Sequence, residues 1–473
     1  MVVLKKLLKV LAPIIVGIII ALIPPPAGLK PGAWYYFALF AAVITGVITE
    51  PIPSAAIGLI GVTIAAATGL VYAKPADAIK WALTGFSDPT VWLIFVAFLF
   101  GLGYAKTGLG KRIALLLIRF LGRNTLGLGY AIAATDLALA PFMPSNTARS
   151  GGTIYPIISN IPPLYGSLPG TGTERKIGSY IMWTAFATTC ITSSMFLTGL
   201  APNLLASSLA AKAGVKFDWL TWFLGFSAVG ILLFALTPLL IYKVYPPEVK
   251  RSPEAAKWAS QELVKIGSIS VKEVVFLALV IMALVLWIFG GDYINATTVG
   301  LLVVVLMLVL RIVAWDDILG YKSAWNTFVW FATLVTMADG LARVGFIDYV
   351  ASSLASAIGW MQPTQALIVL LTVFYWIHYL FASLTAHVTA LYPVFIATAT
   401  KLGISPTLAA YTLAYELGIM GVISPYATGP APIYYGSGYV KSSEFWKLGL
   451  IFGVIFYAVY IVLGLPIAMI LIR

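Results

Sequence analysis

Along the chain, apolar positions neither alternate nor trace narrow one-sided stripes. They come in unbroken runs of about twenty residues divided by short polar segments, the length an α-helix needs to cross a bilayer. Such runs fall at 10–24, 34–50, 53–72, 87–105, 178–212, 219–242, 273–290, 294–313, 325–342, 405–435 and 447–471. They predict an all-α polytopic membrane protein with about 11 transmembrane helices. A membrane barrel would present short alternating segments instead. Two other stretches have the spacing of amphipathic helices lying along the interface. The first, 106–123, interleaves Lys106, Lys111, Arg112, Arg119 and Arg123 with Ile113, Leu116, Leu117 and Phe120; the second is 345–358.

Two regions break the pattern. The stretch 126–162 is interrupted at Pro141, Pro144, Gly151 and Gly152, is too long for one span, and has no charged loop to divide it. It predicts a re-entrant hairpin of two half-helices with Ser145, Asn146 and Thr147 at its tip, an arrangement tolerated at membrane depth only against protein or a watery cavity. The stretch 363–400 predicts a second hairpin, with Ser383, Leu384 and Thr385 at the tip. The two tips match. Each has a Ser, a Thr two residues on, then an Ala, a cationic or cationisable residue four after the Ser (Arg149, His387), and later Tyr-Pro. The interruption in 178–212 reads Thr-Gly-Leu-Ala-Pro-Asn from Thr198 to Asn203, and the one in 405–435 reads Thr-Gly-Pro-Ala-Pro-Ile from Thr428 to Ile433. Paired signatures in the same order predict an internal duplication. An odd number of spans separates the hairpins, so they enter from opposite faces and the repeats are inverted, the mark of alternating-access transporters. The expected divisions are an amino-terminal helix (1–33), a first repeat (34–243), a cytoplasmic linker (244–272) and a second repeat (273–473).

Charge and composition narrow the picture. Only 10% of the 473 residues are charged and 61% are apolar. The net charge of +12 would suggest nucleic acid in a soluble protein; here Lys and Arg sit in loops and set orientation. With the amino terminus in the cytoplasm and neither hairpin crossing, most of the 29 Lys and Arg fall on the cytoplasmic side. The single cysteine, Cys190, excludes an internal disulfide or Cys-based cluster, and two histidines, His378 and His387, do not make a zinc site. No metal or cofactor is expected. The first apolar run leads to Pro24-Pro25-Pro26 without a small-residue cleavage site, which predicts a retained helix rather than a signal peptide.

A half-helix beginning inside the membrane exposes unpaired N–H groups and the positive end of its dipole, and so binds carboxylate without a formal charge. Ser, Asn and Thr cap such starts and add donors. Two tips meeting at mid-membrane would hold the two ends of a dianion. The plainer alternative is that these Ser, Thr, Pro and Gly residues only kink helices, with hydroxyls bonded to their own backbone.

The runs PSNTARSGGTIYPI, FASLTAHVTALYPVF and YATGPAPIYYGSGYV resemble the divalent anion:sodium symporter family. The likeness is to its exchanger branch, which holds bacterial citrate/succinate and tartrate/succinate antiporters and plastid 2-oxoglutarate/malate translocators. The resemblance covers nearly the whole chain. It implies a homodimer in a bacterial or archaeal plasma membrane, each protomer with a scaffold and an elevator-type transport domain. It implies that Ser145, Asn146, Thr147, Ser383 and Thr385 contact substrate carboxylates and that Thr198, Pro202, Asn203, Thr428, Gly429 and Pro430 complete the site. Sodium-coupled members carry Asn in both tips; here the second has Leu384, which offers no oxygen. Arg149 and His387 are expected to act as fixed cations in place of sodium, giving sodium-independent exchange of succinate, malate, fumarate, tartrate, 2-oxoglutarate or citrate. The alternative for Arg149 is a structural pair with Asp136, and for His387 a neutral packing role.

Other readings compete. A sodium-coupled dicarboxylate symporter would use Ser145, Asn146 and Gly199. An intramembrane hydrolase would need more than Ser383 and His387, which lack an acidic orienter. A channel fits poorly with two hairpins entering from opposite faces. Asp339 and Arg343 read as a stabilising helical pair, Glu416 as a proton relay or packing residue, His378 as packing, and Trp34, Tyr35, Tyr36, Tyr434 and Tyr435 as interface anchors.

Overall fold

The computed structural model describes residues 2–291 and 293–472. Among them the regular structure is helical, with one isolated β-bridge between Asn124 and Arg251. Helix starts follow from local capping chemistry. Asp88 accepts from the N–H groups of Thr90 and Val91 ahead of Pro89–Thr107, and Ser270 and Glu273 form a capping box at Val271–Phe289. Glycines in the left-handed conformation turn the chain where no side chain would fit comfortably. Gly108 (φ 76°) ends Pro89–Thr107 and begins the amphipathic helix Leu109–Leu121. Gly345 (φ 83°) separates Lys322–Arg343 from Phe346–Ile358, which bends away by 65°. Arg112 fastens Leu109–Leu121 by pairing with Glu273 and donating to the carbonyls of Gly267 and Ser268.

Among the described residues, seven helices are long and apolar enough to cross a membrane, or up to eight with that bent pair. Five of the seven match expected spans, and two, Thr125–Phe142 and Pro363–Leu380, are the first arms of the expected hairpins. The other expected spans are short, such as Ser54–Ala67 and Ala296–Val309, or broken, such as Gly178–Met195 followed by Ala201–Lys212. Gly178–Met195 lies at the centre of the protein, with all its residues buried, and carries Thr184, Thr188, Thr189, Thr192, Ser193 and Ser194. Cys190, on the same helix, is fully enclosed.

Three helices fall where none was expected: Pro75–Ala82, Pro253–Ile266 and Trp315–Gly320. The second occupies the polar stretch 244–272. It buries Ala255, Ala256, Ala259 and Leu263 at helical spacing against Leu109–Leu121, with Lys111 reaching Glu262 at 3.3 Å.

Candidate functional site

Four chain breaks converge on one cavity. In the first hairpin, Thr125–Leu139 runs into the short turn Ala140–Phe142, the chain extends through Met143, and helical structure resumes at Thr147 as a π-type turn to Ile154. Ser145 Oγ accepts from the Ala148 N–H at 3.2 Å, an N-terminal cap. In the second hairpin, Pro363–Trp376 ends in the turn Ile377–Leu380, and Leu384–Lys401 begins after Ser383, whose Oγ accepts from Ala386 N–H at 3.4 Å. The third break precedes Ala201–Lys212 and the fourth precedes Ala431–Gly436.

The cavity is about 510 Å³, within the range of small-molecule sites. Its walls include Ser145, Asn146 and Thr147 of the first tip, Ser383, Leu384 and Thr385 of the second, Pro202 of the third break and Thr428 and Gly429 of the fourth. The hydroxyls of Thr147 and Thr385 have no protein hydrogen-bond partner among the described residues, whereas Asn146 Nδ2 donates to Thr428 Oγ1 at 2.8 Å and ties first tip to fourth break. Gly429 makes that approach possible: a Cβ there would stand 1.8 Å from Thr147 Oγ1. The first tip is thus joined to the fourth break, and both hairpin tips line the same cavity.

Several expected site residues stand behind this wall. Thr198 donates to Pro141 O and accepts from Trp219 Nε1 at 3.3 Å. Asn203 Nδ2 spans the third break, donating to the carbonyls of Ser193 (2.8 Å) and Phe196 (3.1 Å). Thr198, Asn203 and Pro430 are not among the residues lining the cavity. Arg149 is wholly buried and also absent from the lining. Its Nε reaches Asp136 at 2.9 Å, and Nη1 donates to Met143 O and Gly199 O, both at 2.7 Å. Nη2 lies 3.1–3.3 Å from the hydroxyls of Thr189, Thr192 and Ser193. The guanidinium therefore locks the first tip to the third break, and Asp136 balances its charge. His387 is buried with its ring edge-on to Phe374 (4.3 Å between centroids), 5.0 Å from Phe381 and 5.0 Å from His378. His378 Nε2 is bonded to Ala427 O at 2.7 Å, a packing role.

The remaining walls include residues outside the motifs, Glu50, Ser54, Thr327, Trp330 and Phe331, together with Tyr426, which opens the third quoted run. Among the described residues, Glu50 is the only formally charged side chain in the lining. A polar cavity without a cation, faced by helix starts and free hydroxyls, suits a small anion held by N–H groups, hydroxyls and dipoles.

A family model described as "Sodium:sulfate symporter transmembrane region" matches residues 4–473. The chain is 49% identical over 473 residues to a citrate/succinate antiporter of Escherichia coli K12, covering 97% of each chain. It is 47% identical over 471 residues to an L-tartrate/succinate antiporter of Shigella sonnei, again covering 97% of each. Two solved structures share the fold. The YdaH transporter of Alcanivorax borkumensis has a TM-score of 0.58 at 15% identity, over 83% of this chain and 88% of that one. MtrF of Neisseria gonorrhoeae has 0.55 at 16% identity, over 87% and 93%.

Proposed function

Because the chain belongs to the sodium:sulfate symporter transmembrane-region family, we propose that it is a secondary transporter exchanging di- and tricarboxylates across a bacterial or archaeal plasma membrane. The observation that carries this reading is the single cavity walled by both hairpin tips and two further helix starts. One carboxylate binds at the first tip, to the Thr147 hydroxyl and the N–H groups that open its helix. The other binds at the second tip, to Thr385 and the start of Leu384–Lys401. The antiporter names of the relatives at 47–49% identity support exchange over one-way uptake.

Exchange without sodium fits the chemistry of the tips. Leu384 offers no oxygen to a cation. At the first tip, the Met143 and Gly199 carbonyls that a cation could use are held by Arg149. Arg149 stands in for a bound cation in this positional sense, joining tip to break while Asp136 balances its charge. His387, at the matching offset in the second hairpin, packs among Phe374, Phe381 and His378, so it supports that hairpin by packing rather than by charge. Thr198, Asn203 and Pro430 shape the breaks from behind. The two hairpins enter from opposite faces as parts of an inverted repeat. They carry substrate with a transport domain that moves elevator-fashion against a scaffold, in a homodimer with the amino terminus cytoplasmic.

Counterflow in proteoliposomes tests the function. Labelled succinate enters vesicles loaded with unlabelled succinate and stays out of empty ones, and a sodium gradient changes neither result. Uptake into empty vesicles driven by sodium would instead establish the symporter.

A further inference from the structure

Glu50 sits where the fold gives it no reason to be. It ends Pro31–Thr49 in the left-handed conformation (φ 46°, ψ 57°), its N–H donating to Gly46 O at 2.8 Å. Helices commonly turn out through such a residue, but Gly or Asn fills the position because a larger side chain is strained there. Among the described residues only Glu50 and Arg311 are non-glycine residues with positive φ. Strain of this kind gathers at sites of function. The carboxylate has no hydrogen bond and no ion pair among the described residues, so local stabilisation does not explain it either. It is exposed, and it lines the cavity that also exposes both hairpin tips.

A lone acid in a cavity shaped for anions works against binding. Its effect grows with ligand charge, because each added negative charge meets the same repulsion. We propose that Glu50 is a charge filter for the exchange reaction: it holds back anions bearing a third negative charge and so biases the cavity toward dianions. This rests on the carboxylate-exchange reading. It assigns Glu50 a specificity role distinct from the tips, which recognise carboxylate groups whatever the total charge.

The probe is a pair of ligands of nearly equal bulk and different charge, propane-1,2,3-tricarboxylate and its monoamide. Each is offered at neutral pH to succinate-loaded proteoliposomes of the wild type, Glu50→Gln and Glu50→Asn; Asn is at ease in the left-handed conformation and guards against misfolding of the Gln variant. Both variants are expected to lower KM for both ligands. The fall for the trianion should exceed that for the monoamide by about threefold or more, a margin that shrinks as ionic strength rises. Equal changes for the two ligands, or none, would overturn the filter while leaving exchange intact. Absence of succinate exchange in the wild type would overturn both.

Discussion

At the scale of single residues, burial separates those that touch a ligand from those that hold the wall in place. Thr147 presents a free hydroxyl to the cavity. Thr147→Ala should raise KM for succinate about 10- to 100-fold, the range for losing a hydrogen bond to a charged group, with little change in thermal stability. Arg149 is the opposite case. Arg149→Ala leaves Asp136 buried and unpaired, which costs on the order of 3–5 kcal/mol, so melting temperature and exchange should both collapse. The double variant Asp136→Asn with Arg149→Gln removes both charges and should recover most of the thermal stability. Exchange in that variant then reports whether the clamp needs its charge or only its contacts. The sequence made Arg149 conspicuous as a charge at membrane depth and offered Asp136 as one possible partner. Its other partners are the backbone carbonyls of Met143 and Gly199 and hydroxyls on Gly178–Met195. None of these leaves a trace in one-dimensional spacing. Glu50 was invisible for the converse reason: an acid at the end of an apolar run looks like any span boundary.

At the scale of elements, the breaks were legible because Pro and Gly interrupt apolar runs, and the observed restarts at Thr147, Ala201 and Leu384 lie within the quoted motifs. The amphipathic stretch expected at 345–358 is the helix Phe346–Ile358, because apolar residues recur at its spacing. Pro253–Ile266 was missed since Ala255, Ala256 and Ala259 are too small to dominate a polar window, although they form its buried face. The closeness of first tip and fourth break was also hidden, because it depends on what Gly429 lacks. Gly429→Ala should cut the exchange rate tenfold or more, the added methyl pressing on Thr147. Gly436→Ala, where nothing lies within 4 Å of an added Cβ, should leave it near wild type. Counterflow rates normalised to protein amount compare the two.

At the scale of the whole molecule, both tips, two further breaks and the turn after Pro31–Thr49 share one cavity, so a ligand there touches segments far apart in sequence. Substrate should therefore stabilise the fold as a whole. Saturating succinate, at about 100 times its dissociation constant, is expected to add about 2.7 kcal/mol, read as a raised melting temperature in detergent, and a monocarboxylate of similar size should add much less. The membrane class was readable from run length alone, whereas the shared cavity is a property of tertiary packing. The enclosure of Cys190 bears on how the proposed transport motion can be followed. Thiol reagents applied to the native carrier have nothing within reach to modify, so mercurials and maleimides should not inhibit it. A cysteine introduced at the rim, for instance at Thr327, becomes the sole reactive reporter, and its labelling rate in the presence of each substrate would chart opening and closing without a background to subtract.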